Sequence, residues 1–216
     1  MKLAPHSRLL VVGDSITEAG RDHDAWPGDR SGYLGRGYVA MAAALLDATY
    51  PAHRLVVQNR GVGGDTVCDL AERWQRDVVD LKPDWLTVMI GINDVWRQFD
   101  APLPDLGTPP GEFEDGLSRL VETTLPALKG MVLMTPFFLE RNSSDPMRAR
   151  MDEYGAIVRR IAERNATDFI DTQAAFDRFL EQQHSYRLAA DRVHPNDAGH
   201  MILARALLQA LHYEWQ

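Results

Sequence analysis

RLLVVGDSIT, residues 8–17, is the stretch on which the fold turns. Leu9 to Val12 run without polar alternation, the mark of a strand covered on both faces and so of a parallel sheet. The run stops at Gly13, where the chain must bend, and a polar pair, Asp14 and Ser15, follows at once. Four more apolar runs resemble it: residues 54–58, 85–90, 131–135 and 168–171. With residues 8–12 they are read as five buried strands. The segments between them are longer and amphipathic. Helices are expected over 37–49, closed by Pro51; over 66–81, closed by Pro83; and over 113–128. Another is expected over 146–165, with Asp145 as N-cap and Pro146 in the first helical position, and a last one over 196–213. In that last helix Asn196 is the expected cap, and Ile202, Ala206, Leu207 and Ala210 are the expected apolar stripe. A β-α-β-α rhythm through the whole chain predicts an α/β fold: a three-layer α/β/α sandwich around a central parallel sheet. Residues 1–216 are read as one domain, with no internal repeat or low-complexity tract.

Composition narrows the function. The chain has 23 basic and 31 acidic residues, a net charge of −8, and no long basic run. Nucleic acid and anionic membrane surfaces are therefore poor partners. Cys68 is the single cysteine. No intrachain disulfide can form, and a reducing compartment is the default. The apolar stretch near the start is too short for a secretory signal, and nothing approaches a membrane span. A cytoplasmic enzyme is expected.

Four short motifs carry the chemistry: GDSI at 13–16, GVGGDT at 61–66, GIND at 91–94 and DRVHP at 191–195. The first three follow expected strands, where ligands of parallel sheets sit. Ser15 is the candidate nucleophile. A serine hydroxyl attacks poorly unless a positioned base takes its proton. Alone, Asp14-Ser15 reads as a helix cap; the later motifs supply the missing base. Asp191 precedes His194 by three residues, so the loop can return the carboxylate to the imidazole Nδ1 and leave Nε2 for Ser15. His200 lacks that context, and His6, His23, His53 and His184 are expected at a solvated surface. The expected oxyanion hole is formed by the backbone N–H groups of Ser15 and Gly64 and the side-chain amide of Asn93. Gly63 is read as a turn glycine only. No cluster has zinc spacing, so no metal and no cofactor are expected.

These blocks, in this order, resemble the SGNH (GDSL-type) hydrolase superfamily, with Ile16 where that family has leucine. The resemblance spans nearly the whole chain. It implies a flavodoxin-like sheet, a triad of Ser15, Asp191 and His194, and an oxyanion hole of Ser15, Gly64 and Asn93. IGINDVWRQFD (90–100), LMTPFFLERNSSDPMR (133–148) and DRVHPNDAGHMILARALL (191–208) are similar to intracellular bacterial acetylxylan esterases of that superfamily. This closer likeness implies a small acetylated carbohydrate as substrate, an acetyl-serine intermediate and a homo-oligomer. Trp96 and Arg97, with Trp26 and Tyr33 from the 21–36 loop, are then candidates to face the sugar. Tyr213 and Trp215 suit either a subunit contact or the chain's own core. A thioesterase or lysophospholipase would use the same parts with a longer acyl pocket. A non-catalytic carbohydrate-binding protein would keep the fold alone.

Overall fold

The computed structural model describes residues 1–27, 29–99 and 107–215. Asp100, which ends the 90–100 stretch, and position 28 of the 21–36 loop lie outside the described residues. Five strands form one parallel sheet: β1 (Arg8–Gly13), β2 (Val56–Gly61), β3 (Trp85–Met89), β4 (Gly130–Met134) and β5 (Asp168–Ile170), in the order β2-β1-β3-β4-β5. That is the flavodoxin-like order, and the fold is the three-layer α/β/α sandwich expected.

The helices are α1 (Ser15–Glu18), α2 (Arg30–Leu34), α3 (Tyr38–Thr49), α4 (Val67–Trp74), α5 (Ile92–Trp96), α6 (Pro110–Thr124), α7 (Pro146–Asn165), α8 (Thr172–Leu180) and α9 (Asp197–Ala210). Helix α9 packs against α3 and α8, while α6 packs against α4 and α7. These two groups cover the sheet. Leu10, Val11, Val12, Leu86, Val132 and Leu133 have no exposed surface, which is why their strands show no polar alternation. Burial of each such side chain contributes about 1.5–3 kcal/mol.

Where the fold departs from expectation, the reason is local. The second strand lies at Val56–Gly61 rather than at 54–58: it runs on through a buried asparagine, at which an apolar run ends. Asn59 is tolerated there: Nδ2 donates to the carbonyls of Thr17 (2.7 Å) and Leu34 (2.9 Å), and Oδ1 accepts from Gly61 N–H (2.9 Å). The 66–81 helix stops being α-helical after Trp74 and continues as a wider π-type turn, Gln75–Val79. Helix α7 matches its caps, with the Asp145 carboxylate accepting from the amides of Met147 and Arg148. In α9 the buried stripe is His200, Leu203, Ala204, Leu207 and Leu208; Ile202, Ala206 and Ala210 are only half-buried. The stripe is rotated by about one position from the expected one, and only Leu207 is common to both.

Candidate active site

The sheet order places a crevice where β1 pairs with β2 on one side and β3 on the other. Gly13 stands opposite both Gly61 and Met89, so the three motif-bearing strands end level. Gly13 must be glycine: a Cβ there would lie 2.2 Å from the Met89 carbonyl oxygen and 2.4 Å from the Thr17 hydroxyl. The chain then turns sharply. The Asp14 carboxylate caps α1 by accepting from Ile16 N–H at 3.0 Å, which makes Ser15 the first helical residue. Its own N–H is among the helix donors left without an internal acceptor.

Ser15 Oγ lies 2.9 Å from His194 Nε2, and His194 Nδ1 lies 2.6 Å from Asp191 Oδ2. The second contact assigns the Nδ1 proton, so Nε2 is left to accept from the serine. The loop that brings these groups together is built by the aspartate itself. Asp191 Oδ1 accepts from the amides of Val193 and His194, each at 2.9 Å. The loop is also tied down from outside: Leu139 N–H donates to the Arg192 carbonyl (2.9 Å), and the Arg192 side chain pairs with Glu140 (2.7 Å). Burial pushes the Asp191 carboxyl upward, but the bonds from the imidazole and the two amides outweigh it and hold it below its ordinary value. It is therefore anionic at neutral pH.

The other two motifs follow β2 and β3, the strands that flank β1. Gly64 has φ of +86°, a left-handed conformation that suits glycine, and its carbonyl accepts from Arg97 Nη2. Asn93 is nearly buried and donates one Nδ2 proton to the Asp65 carbonyl at 2.9 Å, which leaves its second amide proton to be directed elsewhere. Its neighbour Asp94 caps not its own helix but α4, accepting from Val67 N–H at 3.0 Å. The GIND and GVGGDT motifs are thus locked together. The Trp96 ring stands 5.8 Å from the His194 ring. Arg97 donates to the Gly64 carbonyl, which ties the GIND helix to the GVGGDT loop.

With that geometry in place, comparison with known proteins is direct. The model of the GDSL-like lipase/acylhydrolase family matches residues 11–202. The chain belongs to that family. It is a carboxylic ester hydrolase. An acetylxylan esterase of Geobacillus stearothermophilus is 50% identical over 216 residues, covering 100% of this chain and 98% of that protein. The crystal structure of Axe2, an acetylxylan esterase from Geobacillus stearothermophilus, superposes with a TM-score of 0.96 at 50% identity, covering 100% of this chain and 98% of that one. LAE5, an alpha/beta hydrolase from the metagenome of Lake Arreo, Spain, gives a TM-score of 0.94 at 49% identity, with both chains covered fully.

Some of this GDSL-family site lies beyond what the motifs announce. Arg73 is buried and binds the Asp65 carboxylate (2.6 Å), Asp77 (3.1 Å), the Arg60 carbonyl (2.7 Å) and the Gly13 carbonyl (3.0 Å). It joins the strand end before Ser15 to the loop after Gly64. The available signal is a charge on the buried face of α4, in line with Val67 and Leu70. Tyr33 does not face the site: it is buried, and its hydroxyl accepts from Gln58 Nε2 at 2.9 Å. Trp26 is 71% exposed. His23 lies at the exposed surface, where it pairs with Glu18, and Glu18 lies over Gly63. Gly63 thus meets close contacts beyond its turn. His200 is buried and accepts from Tyr38 N–H through Nδ1 at 3.3 Å.

Asp14 gives the site a pH signature. Complete burial pushes its carboxyl from 3.8 up to about 7, against the opposing bond from Ile16, with the Asp94 charge adding to the rise. The fold therefore favours the protonated form. That contribution is fully present below pH 3.8 and is lost as pH rises through 7. Asn at this position keeps an oxygen for the cap and has no charge to bury. Asp14→Asn should gain stability relative to the parent between pH 4 and 8, by up to about 4 kcal/mol. Urea midpoints across that range are the measurement; parallel curves for the two proteins would exclude the titration.

Proposed function

We propose that this chain is a serine esterase that removes acetyl groups from acetylated xylo-oligosaccharides or related sugars through an acetyl-serine intermediate. One observation carries the reading: the 2.9 Å and 2.6 Å contacts that link Ser15, His194 and Asp191. Ser15 Oγ attacks the acetyl carbonyl carbon as His194 Nε2 takes the hydroxyl proton. The carbonyl oxygen becomes an oxyanion among the N–H groups of Ser15 and Gly64 and the amide of Asn93. The bond to the sugar oxygen then breaks, and the imidazolium returns its proton to that oxygen. Water, deprotonated by the same imidazole, attacks the acetyl-serine. Acetate departs and Ser15 regains its proton. Asp191 keeps the tautomer and stabilises the imidazolium throughout.

The name of the Geobacillus relative supports the choice of an acetylated xylan-type substrate. Trp96, bordering His194, is assigned to substrate contact, and Arg97 to holding the Gly64 peptide. The reading extends to a homo-oligomer in the cytoplasm. Among the described residues no helix is long and apolar enough to cross a membrane, and none of their acidic, histidine or cysteine side chains cluster to suit a metal ion. Tyr213 packs on its own chain against Tyr50, and Trp215 packs in turn on Tyr213 but stays 52% exposed, which leaves it available for a subunit contact.

The test is acetate release from acetylated xylo-oligosaccharides, with p-nitrophenyl esters from acetyl to decanoyl alongside. The expected maximum is at acetyl. A maximum beyond butyrate would transfer the chain to the thioesterase or lysophospholipase class.

A further inference from the structure

Only part of the space around the triad is used by the mechanism. A cleft of about 350 Å³ opens beside Ser15 and His194, lined also by Ile16, Arg36, Asp197 and His200. Neither Gly64 nor Asn93 lines it, so it lies away from the oxyanion donors. Its volume falls within the roughly 300–1,000 Å³ that small-molecule sites occupy, and far exceeds the needs of a methyl group. Its walls are mixed. Ile16, Ala19 and Pro195 give apolar surface, while Arg36 and Asp197 bring exposed charges of opposite sign. Among the described residues neither charge has a salt-bridge partner, and they do not pair with each other. His200 adds a neutral donor: Tyr38 N–H occupies Nδ1, so the ring proton sits on Nε2. Burial lowers its pKa to about 4 and keeps it uncharged at neutral pH.

The direction of the reaction points into this cleft. With the oxyanion held at Gly64 and Asn93, the departing oxygen must come within reach of His194 Nε2 to be protonated. Whatever is attached to that oxygen then extends into the space bordered by both Ser15 and His194. A sugar has apolar C–H faces and hydroxyls that both donate and accept. Those needs are met by the apolar surface, by Arg36 and His200 as donors and by Asp197 as acceptor.

We propose that the cleft between Arg36, Asp197 and His200 is the subsite for the sugar ring that carries the scissile acetyl group. The proposal rests on the sugar-deacetylase reading above and names residues that determine its specificity. Arg36→Ala and Asp197→Asn test it, because both side chains are exposed. For each variant kcat/KM is measured on an acetylated xylo-oligosaccharide and on methyl acetate, whose leaving group reaches no further than one carbon. Melting temperature serves as the folding check. The ratio of the two values should fall roughly tenfold in each variant, carried mainly by KM. The inhibition constant of deacetylated xylobiose against p-nitrophenyl acetate should rise in parallel. A ratio within twofold of wild type in both variants, with wild-type enzyme releasing acetate from the oligosaccharide, would overturn the subsite and leave the deacetylase reading standing. No acetate release by the wild type would overturn both.

Discussion

Replacement of Ser15 by alanine should lower kcat on p-nitrophenyl acetate by roughly 10⁶-fold, the scale at which loss of the nucleophile disables a serine triad. The fold should not notice. Ser15 is partly exposed, and among the described residues its hydroxyl bonds only to His194, while the turn around it depends on Asp14 and Gly13. Near-wild-type circular dichroism with activity lost is the expected pair of results. A variant that kept more than a few per cent of the rate would remove Ser15 from the chemistry.

Asp191→Asn should cost roughly 10⁴-fold in kcat, and for a reason visible in the geometry. The substituted side chain could keep one oxygen on the amides of Val193 and His194, so the loop would survive. Its NH₂ group would then face Nδ1 and force that nitrogen to accept. The ring proton would move to Nε2, which could no longer take the proton of Ser15. Rates on the aryl acetate, with a melting curve to check the loop, measure this. A loss below tenfold would reduce Asp191 to a loop builder.

Much of this architecture can be read from the chain because parallel strands buried on both faces write themselves as unbroken apolar runs. Residues 8–12, 85–90 and 131–135 fall on strands for that reason. The caps at Asp145 and Asn196 are legible because a short polar side chain before a helix has a specific amide to bind. The second strand is harder to place because Gln58 and Asn59 are buried by hydrogen bonds that only the folded neighbours provide. Short helices such as α2 and α8 leave no periodic signal long enough to detect. In the site, the motif residues can be named because their spacing carries their chemistry. Arg73 cannot, since its value lies in four acceptors scattered from residue 13 to residue 77. Tyr33 misleads in the opposite direction, an aromatic residue that a short helix turns inward.

Arg73 also settles how the reaction centre keeps its dimensions. One guanidinium spans the peptide ahead of Ser15 and the carboxylate that follows Gly64, so neither can drift alone. The spacing between Ser15 and the Gly64 loop is clamped by a buried cation, not by the stiffness of either loop. Acyl groups can arrive and depart while the cradle that receives their charge stays the same width.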